Sequence, residues 1–183
     1  MKIAQDALLD DLVARTQEIL EQAKFLQSLP EDVLMAKPDA ETWSVLECLE
    51  HLNRYGRFYL PEIKQRIQGG KPVQPAFRSS WLGEYFAKSM LPKEKLNRMQ
   101  TFTNMNPVGS SLDLSVLDEF VEQQHTMLRL LEAARQVSLK RTKTAISISK
   151  RIRLRLGDTF RVVVYHNQRH LVQAQGMADL FSS

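Results

Sequence analysis

This chain of 183 residues has only one cysteine, Cys48. A single cysteine excludes an internal disulfide, so we expect a reducing compartment. Seven glycines and seven prolines are too few for a collagen-like or disordered chain. No apolar run approaches the ~20 residues that a membrane-spanning helix needs, and the first residues lack the apolar core of a signal peptide. We therefore expect a single cytoplasmic domain over residues 1–183, with no membrane partner.

Positive charge is in modest excess overall, with a formal net charge of +4, and it is concentrated late in the chain. Between residues 140 and 161 the only acid is Asp158. The basic residues of this stretch are Lys140, Arg141, Lys143, Lys150, Arg151, Arg153, Arg155 and Arg161. Such a stretch could attract phosphate groups. No motif of a nucleic-acid-binding module accompanies it, so we prefer a solvated basic loop, and nucleic-acid binding is the weaker interpretation.

Apolar residues recur at three- and four-residue spacing in four long segments, which predicts four helices. These segments are residues 3–27, 44–68, 115–137 and 158–181. The second begins with Ser44 followed by Glu47, which is the spacing of a capping box. We therefore predict an all-α fold, an antiparallel four-helix bundle.

The connections between these helices are irregular and rich in proline. Residues 71–113 are the least regular, with one short helix expected at Trp81–Met90. Pro61 lies inside the second helical pattern and is expected to kink it, because proline cannot donate to the carbonyl one turn earlier. Residues 145–156 alternate apolar and basic side chains like a strand. We recognise no partner strand, so we predict an extended approach to the last helix.

Three of the four histidines, His51, His166 and His170, are candidates for a metal site. His166 and His170 are four residues apart, so their side chains lie on one helical face. His51 occupies a similar edge of the apolar stripe on the second helix. Three neutral imidazoles with an open position form a known catalytic arrangement for Zn²⁺, and they also suit Ni²⁺ or Fe²⁺. The alternative is that they are boundary histidines bonded to backbone or carboxylate groups.

Two motifs resemble those of the DinB-like (YfiT-like) bundle proteins. Residues 43–52 (WSVLECLEHL) resemble the second-helix motif of that family, and residues 166–174 (HNQRHLVQA) resemble its last-helix motif. The resemblance implies an up-down-down-up four-helix bundle. It also implies a divalent metal held by His51, His166 and His170, and a homodimer paired through the faces of the bundle.

Several polar residues near these histidines have two interpretations. Glu47, one turn before His51, is a weak candidate for a general base or for a hydrogen-bond partner of an imidazole, and it suits the capping box equally well. Cys48 is expected to be a small buried hydrophobe and not a fourth ligand. Glu50 is expected to face solvent, and Arg169 is expected to be a surface charge.

The remaining candidates are given packing or surface roles. Tyr55 and Tyr165 could offer a hydroxyl to a ligand, but tyrosines at these spacings more often pack in a core. Trp43 and Trp81 are expected to pack at helix starts. His125 matches no ligand position of the family and is expected to lie at the surface or its boundary.

A divalent metal on three histidines supports two chemistries. Bound water can be acidified to attack an electrophile, or a thiol can lose its proton and become the nucleophile. The resemblance favours the second, because relatives in the family include transferases and isomerases that use low-molecular-weight thiols. The sequence thus predicts a metal-dependent enzyme acting on a small molecule, a thiol S-transferase in preference to a hydrolase. A non-catalytic metal-binding or interaction protein is the alternative.

Overall fold

The computed structural model describes residues 1–92 and 101–182, and helices dominate both ranges. Residues 93–100, within the segment predicted to be irregular, and Ser183 lie outside the described residues. In chain order the helices are α1 (Gln5–Gln27), α2 (Glu31–Met35), α3 (Val45–Gln68), α4 (Trp81–Met90), α5 (Ser115–Ala133) and α6 (Leu156–Phe181). Single 3₁₀ turns occur at Thr103–Met105 and Ala134–Gln136. The mostly helical fold agrees with the sequence prediction.

Hydrogen bonds at one end of the bundle fix the direction of the four long helices. The Leu139 N–H, in the segment after α5, donates to the Gln5 side chain at the start of α1 at 3.0 Å. The Ser138 N–H donates to the carbonyl of Lys71, just after α3, at 2.8 Å, and the Gly157 N–H of α6 donates to the Leu139 carbonyl at 3.1 Å. α1 and α6 therefore begin at this end, which we call the basal end, and α3 and α5 finish there. This is the up-down-down-up order.

Local sequence signals explain where α3 begins. The Glu47 N–H donates to Ser44 Oγ at 3.1 Å, and the Ser44 N–H donates to Glu47 Oε2 at 2.9 Å. Two of the N–H groups that a helix start leaves unpaired are satisfied in this way. Pro61 lies within α3, which continues unbroken to Gln68.

Two small antiparallel strand pairs accompany the helices: β1 (Lys2–Ala4) with β2 (Ala76–Arg78), and β3 (Lys143–Ile146) with β4 (Ser149–Arg155). The prediction that residues 145–156 have no partner strand is wrong. Their partner is the segment just before them, joined through residues 147–148 in a hairpin. The alternation seen in the sequence places Leu154 toward the core and Arg153 in solvent. The Lys150 side chain, in the same basic stretch, lies outside the described part of the chain.

The core is built from the facing stripes of α1, α3, α5 and α6, with Phe77, Phe120 and Phe160 fully buried. Trp81 was expected to pack at a helix start, but it is 83% exposed at the beginning of α4. None of the helices in the described ranges is both long and apolar enough to cross a membrane.

Candidate metal centre

The packing of α3 against α6 brings three histidines into one cluster. His51 comes from α3, and His166 and His170 come from successive turns of α6. One nitrogen from each ring lies within 4.8 Å of the other two. The ring centroids are 4.6 to 5.1 Å apart, and each pair of rings meets edge to face. The structure therefore brings together the three histidines that the sequence singled out.

The orientation of His51 is set by a main-chain carbonyl. His51 Nδ1 lies 2.8 Å from the Met105 carbonyl oxygen. A carbonyl only accepts hydrogen bonds, so Nδ1 carries the proton. In the neutral ring the lone pair is then on Nε2, which faces the cluster. A histidine that binds a metal through one ring nitrogen usually donates the N–H of its other ring nitrogen to a group such as a backbone carbonyl.

His170 is held in the same way by a side chain from its own helix. Its Nδ1 lies 3.0 Å from the amide oxygen of Gln173, one turn later on α6. With that oxygen as acceptor, Nδ1 of His170 carries the proton and its Nε2 is left with the lone pair. Two of the three rings therefore present unprotonated nitrogens.

The spacing of the nitrogens fits metal coordination. The Nε2 atoms of His51 and His166 are 3.2 Å apart. Two nitrogens each ~2.0–2.1 Å from a tetrahedral metal would be separated by roughly 3.3–3.4 Å. The third nitrogen, from His170, lies within 4.8 Å of both. The cluster thus has the donor set and approximate dimensions of a three-histidine metal site.

Burial keeps the cluster neutral. It lowers the pKa of His51 to about 4 and that of His170 to about 3. The pKa of His166 falls well below the usual value, first through burial and then because a positive charge there would be repelled by protonated His170 or His51 and by Arg169. Neutral imidazole is the form that binds a metal.

Two aromatic side chains flank the cluster. The Trp43 ring lies 4.8 Å from the His51 ring and stacks on His170 at 5.8 Å, measured between centroids. Tyr55 meets the rings of His51 and His166 edge-on at 5.1 and 4.8 Å. Burial raises the pKa of the Tyr55 hydroxyl to about 12, so it stays protonated at neutral pH. Aromatic groups on two sides restrict water and give the cluster apolar walls.

An arginine on α3 fixes the loop that supplies the Met105 carbonyl. Arg54 donates to the Asn106 carbonyl at 2.6 Å and to Ser110 Oγ at 2.7 Å. Its other nitrogen, Nε, donates to Glu50 at 2.9 Å. Glu50 was expected to face solvent, but it is only 6% exposed, because Arg54 and Arg57 enclose its carboxylate. No pattern in the sequence indicated this support.

The carboxylate of Glu47 is engaged in hydrogen bonds at the start of α3. Besides closing the capping box with Ser44, its carboxylate accepts two hydrogen bonds from Lys37 Nζ, at 3.0 and 3.2 Å. The structure therefore places Glu47 in the cap.

Other candidates from the sequence are not part of the three-histidine group. Cys48 is fully buried in the core, as expected of a small hydrophobe, and burial raises the pKa of its thiol. Arg169 was expected at the surface but is only 4% exposed, since α6 is enclosed on several sides. Burial also lowers the pKa of its guanidinium. His125 is half-buried on α5 and is not in the cluster.

The fold and the cluster together define a helical-bundle protein with three convergent histidines. Comparison with family models gives a match to the DinB superfamily over residues 12–174. The chain belongs to the DinB superfamily, and the family resemblance of its two motifs is confirmed. No curated protein and no solved structure matches the chain.

Proposed function

We propose that His51, His166 and His170 bind a divalent metal, Zn²⁺, Ni²⁺ or Fe²⁺, and that the protein is a metal-dependent enzyme. The observation that carries this proposal is the hydrogen bond from His51 Nδ1 to the Met105 carbonyl. It fixes the proton on the outer nitrogen and turns the lone pair of Nε2 toward His166. His170 is held through its Nδ1 by Gln173 in the same way, so two rings of the cluster keep an unprotonated Nε2.

The favoured reaction is transfer of a low-molecular-weight thiol to an electrophilic small molecule. A bound divalent metal would supply Lewis acidity, which favours loss of a proton from a thiol or from water. Glu47, the carboxylate considered as a base, is held by Ser44 and Lys37. A free thiol has a pKa near ~8.5, against about 15.7 for water, so the thiol needs less help from a protein base. A thiol nucleophile therefore suits this site better than hydrolysis.

The chain's own residues would bind and shield the reactants. The three neutral imidazoles would hold the metal and leave room beside it for reactants. The rings of Trp43 and Tyr55 beside the histidines exclude water from the thiol and the electrophile. The protonated Tyr55 hydroxyl is a hydrogen-bond donor and not a base.

Metal content is the first test. The untagged protein, His166→Ala and His125→Ala should be compared by elemental mass spectrometry after incubation with Zn²⁺ or Ni²⁺. We expect about one metal per chain in the wild type and in His125→Ala, and little in His166→Ala. The control removes the one histidine outside the cluster. Equal metal in all three proteins, or none in any, would contradict the proposal.

Activity is the second test. The protein should conjugate a cellular thiol to a reactive electrophile. A chelator should abolish the reaction, re-addition of metal should restore it, and His166→Ala should lack it. Conjugation that survives both the chelator and the His166→Ala change would rule out a metal-dependent transferase. Hydrolysis of an ester or amide that needs the metal, without thiol transfer, would favour the hydrolase.

Burial favours one alternative, a metal that only stabilises the bundle. His51 is 3% exposed and His166 is 9% exposed, as in a closed structural site. Substitution with Co²⁺ separates the two cases. A thiol added to the cobalt protein should produce a sulfur-to-metal charge-transfer band if a coordination position is open. An unchanged spectrum would favour the structural role.

A further inference from the structure

A second candidate site lies at the basal end of the bundle, in an open cavity of about 540 Å³. Ser80, at the start of α4, forms part of its wall. The other lining residues are all cationic: Lys71, Lys140, Arg141, Lys143, Arg153 and Arg155. Among the residues that the structure describes, no acidic side chain lines this cavity. We call it the basic cavity.

The backbone that carries these cations is fixed by hydrogen bonds. The Lys71 N–H donates to Thr142 Oγ1 at 3.1 Å, and the Lys71 carbonyl accepts from the Ser138 N–H at 2.8 Å. The Arg141 N–H donates to Ser138 Oγ at 3.1 Å. The cations are thus gathered on a preformed frame, which reduces the ordering cost of binding.

The hairpin places like charges directly against each other. Lys143 on β3 is the cross-strand partner of Arg155 on β4, and Arg153 lies on the same face two residues earlier. Like charges in directly opposed positions destabilise a strand pair. Across residues 1–92 and 101–182, no carboxylate forms a salt bridge with any of the six cations. Glu62, whose charge acts on Arg153, is engaged by Arg66. An anionic ligand would explain why Lys143 and Arg155 are opposed in the hairpin without a counter-ion from the protein.

We propose that the basic cavity binds a small molecule that carries two or three linked phosphate groups. One phosphate carries about −1.5 to −2 charges, which would leave most of the six cations unbalanced. The volume is in the range of small-molecule pockets. The absence of aromatic side chains from the cavity lining argues against a single-stranded nucleic acid, which binds on aromatic stacking platforms.

This site is separate from the histidine cluster. On α6, His166 lies ten residues after Leu156, which is roughly 15 Å along the helix. On α3, His51 lies 17 residues before Gln68, the last residue of that helix, which is roughly 26 Å along α3. The proposal therefore stands whether or not the histidines hold a metal.

The test is calorimetric titration of the untagged protein with sodium tripolyphosphate, orthophosphate and ATP at physiological ionic strength. We expect one tripolyphosphate per chain, bound at least about tenfold more tightly than orthophosphate. ATP binding as tightly as tripolyphosphate supports a site that reads only the phosphates, and tighter ATP binding identifies a nucleotide as the source. Equal affinity for orthophosphate and tripolyphosphate would overturn the proposal.

The main variant is Lys143→Gln with Arg153→Gln. Arg155 is left intact because it also donates to the Arg78 carbonyl. The double variant should lose about tenfold or more in tripolyphosphate affinity, while its melting temperature stays equal or rises as the repulsion falls. Lys24→Gln is the control for the loss of a positive charge elsewhere, since Lys24 is exposed 19 residues along α1 from Gln5, roughly 28 Å away. Unchanged affinity in the double variant, or an equal loss in the control, would refute the site.

Two more titrations distinguish the basic cavity from the histidine cluster and from a nucleic-acid surface. His166→Ala should bind tripolyphosphate with unchanged affinity, whereas loss of binding would place the ligand at the histidines. A single-stranded oligonucleotide should bind more weakly than tripolyphosphate. If it bound more tightly, with several chains on each strand, the basic cavity would belong to a nucleic-acid surface and the proposal would fail.

Discussion

The Nε2 atoms of His51 and His166 face each other at 3.2 Å across the interface of α3 and α6, although the residues are 115 positions apart in the chain. A neutral His166 with its proton on Nε2 donates to the lone pair of His51 Nε2 at this distance, and a bound cation would take the place of that proton. Burial lowers the pKa of both rings and so disfavours the imidazolium form, which cannot bind a metal. A divalent metal bound between these nitrogens should therefore raise the free energy of unfolding.

Zinc should stabilise the fold through the histidine cluster. At a free concentration about 100 times the dissociation constant, binding adds ~2.7 kcal/mol. For a domain of this size that raises the melting temperature by roughly 5–10 °C. Differential scanning fluorimetry of metal-free protein with and without Zn²⁺ measures the shift. His170→Ala should lose it and His125→Ala should keep it. A shift of the same size in His170→Ala would mean that zinc acts elsewhere.

Gln173 should support metal binding although it is not a ligand. Its amide oxygen accepts the hydrogen bond from the Nδ1–H of His170. Loss of such a support costs about 10–100-fold in metal affinity. Gln173→Ala should show this loss in a competition titration with a chromophoric chelator, and Gln173→Glu should recover it. The control is Gln175→Ala, because the Gln175 amide bonds the exposed Asp179. Equal affinities of the two alanine variants would show that the hydrogen bond has no such role.

Two glycines of α6 should respond oppositely to alanine. A Cβ at Gly157 would lie 2.6 Å from the ring of Phe77, which is fully buried and cannot move aside. Gly157→Ala should cost about 1–3 kcal/mol of the free energy of unfolding. Gly176 has no atom within 4 Å of the added Cβ, so Gly176→Ala should gain roughly 0.5–1 kcal/mol from helix propensity. Urea unfolding measures both. A neutral Gly157→Ala would mean that α6 shifts easily at its start.

Stability should fall in acid as Glu84 is protonated. Burial would raise the pKa of Glu84, but the hydrogen bond and charge of Arg161, with smaller contributions from Lys88 and the N-terminus, lower it to about 2. The unfolded chain therefore binds more protons than the folded one. The contribution of Glu84 is complete above the ordinary pKa of 4.5 and is lost as the pH falls toward 2.

Glu84→Gln measures that contribution. We expect the variant to lose about 1.5–3 kcal/mol of the free energy of unfolding at neutral pH, the usual range for a hydrogen bond to a charged group. The difference from wild type should shrink between pH 4.5 and about 2. Glu122→Gln, on an exposed pair with Arg129 whose charges are screened by water, is the control and should change the pH profile much less. A constant Glu84→Gln difference across this range would exclude Glu84 as the titrating group.

The long helices and the histidine cluster were predictable because their signals are local or carried by motifs. Apolar periodicity marks α1, α3, α5 and α6, and the i, i+4 spacing puts His166 and His170 on one face. The position of His51 relative to them required the family resemblance, because spacing in one chain cannot say which helices are neighbours.

Some of the missed features depend on contacts between segments far apart in sequence, and others are local. β1 pairs with β2 more than 70 residues later. Glu50 and Arg169 are charged residues, a type that usually lies at the surface, yet packing encloses both. The β3–β4 hairpin is local, but β3 is only four residues long and carries little apolar alternation. Trp81 shows the reverse error, since a large aromatic at a helix start lies in solvent.

The hydrogen bond from His51 Nδ1 is accepted by a main-chain carbonyl oxygen, an atom that every amino acid has. Because the acceptor is the backbone oxygen of residue 105, replacing Met105 with another residue that fills the same space would preserve the hydrogen bond. Evolution can therefore exchange this buried residue for others of similar size while the path of the loop is retained. The tighter selective constraint would fall on Arg54, which fastens that loop to α3.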